Sequence, residues 1–144
     1  MTLDEIREMW REDCVVDQND LDTENFKVTV IHEKYLNIWS QFKLMLSDAE
    51  TKAKMLYKQK FEYYMGNMDI EEMNELGWEP QPLMILKQDM PVYIDADEDI
   101  INLNLKIALQ KEKIDVLENI IRMINNRGFQ LKNVIDWERF KSGQ

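Results

Sequence analysis

AETKAKMLYKQKFEYY, residues 49–64, carries Lys52, Lys54, Lys58 and Lys60 among Met55, Leu56, Tyr57, Phe61, Tyr63 and Tyr64, with no proline or glycine until Gly66. At 100° per residue Lys54 and Lys58 stand one above the other, and Tyr57, Phe61 and Tyr64 make a neighbouring i, i+4, i+7 stripe. The spacing is helical, and nothing upstream stops it. Ile31, Tyr35, Ile38, Phe42, Met45, Ala49, Ala53, Leu56 and Tyr63 continue a three-four stripe over a helix predicted from about Asp22 to Tyr64. Such a helix, about 40 residues and roughly 60 Å long, is too long for a compact domain of about 15 Å radius of gyration to cover on all sides. Its apolar face therefore predicts self-association.

Working outward, Gly66 is the expected stop, entered in the left-handed conformation that glycine adopts cheaply. Upstream, Thr2 and Glu5 have capping-box spacing before Leu3, Ile6, Met9 and Trp10, which predicts a short acidic helix over 3–13 and a break around 15–21. Downstream, residues 67–82 read as an acidic linker with one helical turn, docked by Trp78. The runs LMIL and VYI in 83–94 are short and β-prone, and Pro91 excludes a helix interior, so a small extended or hairpin segment is expected there. From 98 to 126, Leu103, Ile107, Gln110, Ile114, Leu117, Ile121 and Ile124 keep four-three spacing, a bundle face in which Gln110 is the one polar intruder. Gly128 and Phe129 after Arg127 read as a helix stop before a last amphipathic helix over 130–141. The expected fold is all-α, with two long amphipathic helices and short N- and C-terminal helices. It is taken as one domain with a helical part to residue 66, a linker over 67–95 and C-terminal assembly helices over 96–144.

The formal charge of −10 argues by itself against nucleic acid, but it is segregated. Residues 1–26 and 65–99 carry net −7 and −9, whereas 27–64 and 100–144 each carry net +3. A protein acidic in sum thus keeps basic helices. Cys14 is the only cysteine, which excludes an intrachain disulfide and fits a reducing cytoplasm; its neighbours Asp13 and Asp17 disfavour a thiolate. No signal sequence or membrane-spanning run is expected.

The residues for catalysis are missing from any recognisable arrangement. Gly66, Gly77, Gly128 and Gly143 build no phosphate loop, and His32 with Cys14 makes no zinc set. Asp95, Asp97, Glu98 and Asp99 suggest a calcium loop, but Ile100 and Lys106 stand where glycine and a bidentate glutamate are required, so these acids read as the start of a helix. Neither enzyme activity nor a metal or cofactor is expected. What remains is the strip of Lys52, Lys54, Lys58 and Lys60 beside Tyr57 and its neighbouring rings. Cations beside flat rings suit single-stranded nucleic acid, whose phosphates want charge and whose bases want a stacking surface. Lysines flanking an apolar stripe also serve as a solvated rim, and that reading stays open.

The phrases KFEYYMG, residues 60–66, and NRGFQLKNVIDWERFKSGQ, residues 126–144, resemble the UvsY family of recombination mediators of T-even-like phages. The similarity in layout runs end to end and is concentrated in about 52–66 and 126–144. It implies an α-helical, ring-like homo-oligomer, a hexamer or heptamer, that binds single-stranded DNA. It further implies loading of a RecA-like (UvsX-like) recombinase onto strands covered by a single-strand-binding protein, in the host cytoplasm. The family's basic pair before its tyrosine pair falls on Lys58 and Lys60, the second standing where the family pattern has arginine. Two other readings compete, an acidic helical scaffold or adaptor that binds no nucleic acid, and a DNA mimic whose carboxylates imitate phosphate.

Overall fold

The computed structural model describes residues 1–81 and 83–143. Its elements are α1 (Leu3–Asp13), α2 (Leu21–Met65), α3 (Ile70–Leu76), α4 (Met90–Asp95) and α5 (Glu98–Lys141), with no strand among the described residues. The all-α expectation holds. Two compact units are present, Met1–Leu44 with Gln110–Gln144, and Met45–Leu109. Their boundaries lie inside α2 and α5, so each long helix contributes to both units.

In the first unit, α1 begins with the predicted capping box. Thr2 Oγ1 accepts from Glu5 N at 3.1 Å, and Glu5 Oε2 accepts from Thr2 N at 2.6 Å, satisfying two donors that the helix cannot. At the other end Arg127 donates to the Asp13 carbonyl at 3.2 Å and the Cys14 carbonyl at 2.9 Å, with its guanidinium 5.6 Å from the Trp10 ring centre. Trp10 meets Tyr35 edge-on at 5.6 Å, and the Tyr35 hydroxyl donates to Asp13 Oδ2 at 2.9 Å. Burial, reinforced by that hydrogen bond, pushes the Tyr35 phenol upward. In this unit Ile6, Phe42, Ile114, Leu117, Ile120, Ile124 and Leu131 are buried. Each such side chain contributes roughly 1.5–3 kcal/mol by leaving water. Gln110 is buried among them without loss, because its Nε2 donates to the Phe42 carbonyl at 3.1 Å.

The expected stop at Gly128 does not occur, and α5 runs through it to Lys141, absorbing the separate last helix. Gly128 has no positive φ, and the buried positions Ile124, Arg127 and Leu131 carry the three-four pattern across it. Packing of that face outweighs the glycine, whose helix penalty is only about 1 kcal/mol. Arg127 occupies a stripe position that the sequence pattern assigns to apolar residues.

In the second unit the stop at Gly66 is as expected, at φ 79°. The linker is more ordered than one helical turn, because α3 spans 70–76 and ends on Gly77 at φ 73°. The extended or hairpin segment expected at 83–94 is also corrected. Residues 90–95 form α4, and Pro91 sits in its first turn, where the missing N–H costs nothing. Met90, Ile94 and Ile100 form a small core against Leu56, Phe61, Tyr64, Met65 and Ile85. Pro82 lies outside the described residues.

Candidate nucleic-acid interface

Within the second unit, the last turns of α2 present the basic strip. Lys54 and Lys58 are exposed, one turn apart, and form no ion pair among the described residues. Lys52 is exposed and pairs with Asp48 at 2.7 Å, a solvated i, i+4 contact that holds the side chain only weakly. Tyr57 keeps 42% of its surface exposed on the same helix. These four residues, expected from sequence to contact a strand, share one accessible stretch of helix.

Lys60 is placed differently. It is 4% exposed. Its Nζ donates to Asp99 Oδ2 at 2.8 Å, lies 3.1 Å from Asp97 Oδ2, and sits 3.9 Å from the centre of the Trp78 ring and 5.6 Å from that of Tyr63. A phosphate could engage it only by displacing two carboxylates and an aromatic face. Asp97 is the hub. Its Oδ1 accepts from Asp99 N at 3.0 Å and Ile100 N at 3.3 Å, capping α5, while Oδ2 accepts from Tyr64 at 2.6 Å and faces Lys60. Burial alone would raise this carboxyl, but the Tyr64, Lys60 and Ile100 hydrogen bonds outweigh it and hold Asp97 below the usual carboxylate range. Burial, and then the hydrogen bond to Asp97, raise the Tyr64 phenol.

The tyrosine pair is likewise turned to structure. Tyr63 packs edge-on to Tyr64 at 5.0 Å and to Trp78 at 5.2 Å, and its hydroxyl donates to the Glu79 carbonyl. Gln81 Nε2 donates to the Tyr64 carbonyl at 3.1 Å. Trp78 thus docks the linker, and the acids at the start of α5 act as cap and counter-charge. Beside the exposed strip lies a groove of about 380 Å³ to which Lys54, Tyr57, Asp95, Ile100, Leu103 and Asn104 contribute. Sequence reasoning missed both the Lys60 cluster and this groove. A tryptophan in a polar linker was the available signal for the first; the second joins residues about fifty positions apart and left none.

Among the described residues no group of His, Cys, Asp and Glu is arranged to hold a metal ion, and no helix is long and apolar enough to cross a membrane. His32 is half-buried on α2, and Cys14 caps α1 with its Sγ 3.4 Å from the Arg11 carbonyl, both structural placements.

Residues 9–144 match the family described as "Recombination, repair and ssDNA binding protein UvsY". The chain belongs to the UvsY family. Within it, the chain is 24% identical over all 144 residues to the recombination protein uvsY of Enterobacteria phage T4, covering the whole of both chains. The fold agrees with crystal structures of the bacteriophage T4 recombination mediator protein UvsY. In lattice type II the TM-score is 0.86 at 23% identity, covering 99% of this chain and 98% of that one. In lattice type IV it is 0.85 at 23% identity, covering 97% and 99%. The all-helical fold is therefore that of the UvsY family, reached with fewer than a quarter of the residues in common.

Proposed function

We propose that this chain is a recombination mediator that binds single-stranded DNA through Lys52, Lys54, Lys58 and Tyr57, with Lys60 holding that strip in place. The observation that carries the reading is family membership over residues 9–144 together with exposed, unpaired Lys54 and Lys58 on α2. One protomer offers too few cations for firm binding, and a ring-like homo-oligomer of six or seven copies multiplies them at high effective concentration. The assembled strip draws a strand away from a covering single-strand-binding protein and presents it to a RecA-like recombinase in the host cytoplasm. The protein acts by binding and not by catalysis, and the acidic stretches stay off the strand and meet basic partner surfaces.

A titration of labelled single-stranded oligonucleotide at two salt concentrations tests this. Each neutralised phosphate contributes about −0.7 to the slope of log K against log salt, so a steep slope that becomes shallower with Lys58→Ala is expected. Absence of binding in the assembled protein supports the acidic scaffold instead.

A further inference from the structure

The groove beside Lys54 has features that no phosphate contact uses. We infer that it receives an unpaired base of the bound strand, an inference that rests on the strand-binding reading above.

Its apolar lining includes buried Ile100 and half-buried Leu103, and Tyr57, which also lines it, keeps 42% of its surface exposed. The solvent-exposed Asp95 carboxylate and Asn104 amide also line it, and neither has a hydrogen bond or ion pair among the described residues. Lys54 lines the same groove, with Lys58 one turn further along α2. The occupant this combination fits is flat, neutral and polar only at its edge. A base stacks on the phenol and the apolar lining, its edge exchanges hydrogen bonds with Asn104 and donates to Asp95, and its backbone phosphate stays outside on the lysines. A phosphate inside the groove would meet the Asp95 charge. An aliphatic side chain from a second copy would strip water from the amide and the carboxylate and return nothing, which disfavours it. The volume of about 380 Å³ lies at the small end of the range of about 300–1,000 Å³ typical of ligand clefts.

The test uses the assembled full-length protein and two strands of equal length, oligo(dC) and the same sugar-phosphate backbone lacking every base. The charge is identical, so phosphate contacts cancel. The expected result is binding of the abasic strand at least about tenfold weaker, as loss of base stacking predicts. Asn104→Leu and Tyr57→Ala should each narrow that gap while the salt slope on oligo(dC) stays as in the wild type. Equal binding of the two strands by the wild type overturns the base-receiving groove and leaves strand binding intact. Wild type that binds neither strand overturns the strand-binding reading and this inference with it. If light scattering shows that Asn104→Leu loses its assembly, the groove is a contact between copies and the inference falls.

Discussion

At Lys60 the cation that would serve phosphate in an open strip already faces Asp97 and Asp99, and this separates it from Lys58, two residues and about 200° away on the same helix. Removing Lys60 leaves Asp97 buried without its counter-charge, for which about 3–5 kcal/mol is typical. Lys60→Ala should therefore lower the thermal midpoint sharply while leaving the salt slope of strand binding unchanged in the folded fraction. Lys58→Ala should do the reverse, changing stability by less than about 0.5 kcal/mol and flattening the slope. A Lys60→Ala protein as stable as wild type but with a shallower slope would return Lys60 to the strand. Asp97 adds a pH signature. Its carboxyl titrates near 3.8 when unfolded and lower when folded, so its contribution is present above 3.8 and is lost as pH falls through the folded value. Tyr64, raised above its usual 10.0, contributes below pH 10 and loses that contribution as pH rises further. Thermal midpoints measured from pH 2 to 5 should fall less steeply for Asp97→Asn than for wild type. Parallel curves would refute the hub.

Among the elements, α5 carries a glycine about two-thirds of the way along it, with nothing within 4 Å of where a Cβ would stand. Gly128→Ala should stabilise the first unit by about 0.5–1 kcal/mol, since only backbone entropy changes; a loss in calorimetry would mean that the site needs the bare backbone. Arg127 is the opposite case, a buried charge that holds the end of α1 through two carbonyls and Trp10. Arg127→Met should cost about 3 kcal/mol, two charged hydrogen bonds less their solvation, and should raise hydrogen exchange first in α1. Protection lost uniformly across the unit would argue against that anchoring role. The same contrast marks what was legible. The capping box at Thr2, the stop at Gly66 and the four-three stripe of α5 depend on neighbours within a turn or two, and the sequence displays those. Gly128 followed by Phe129 has the local pattern of a stop, yet tertiary burial of Arg127 and Leu131 decides its state. Pro91 marks the first turn of a helix as readily as its exclusion. The exposed lysines could be named from spacing, whereas the burial of Lys60 depends on carboxylates 37 and 39 residues away, and the groove on Asn104, 50 residues from Lys54.

For the whole molecule, the chain leaves large apolar side chains uncovered. Trp137 and Phe140 stack at 5.6 Å with their planes 22° apart and remain 56% and 73% exposed. Surfaces of that kind mark contact sites. Trp137→Ser with Phe140→Ser should shift the protein to lighter species in light scattering, and strand affinity should fall more than tenfold as multivalency is lost. A dispersed variant that binds as tightly as wild type would refute the dependence of grip on assembly. The buried Gln110 bears on how these long helices find each other at all. Apolar stripes with a seven-residue rhythm fit almost as well when one slides past the other by two turns, and hydrophobic contact alone tolerates such slippage. A lone amide that must reach the Phe42 carbonyl makes every slipped alignment leave a polar group stranded in oil. Replacing it with leucine should yield a chain that is harder to melt and less uniform, with extra resonances for the indole of Trp39.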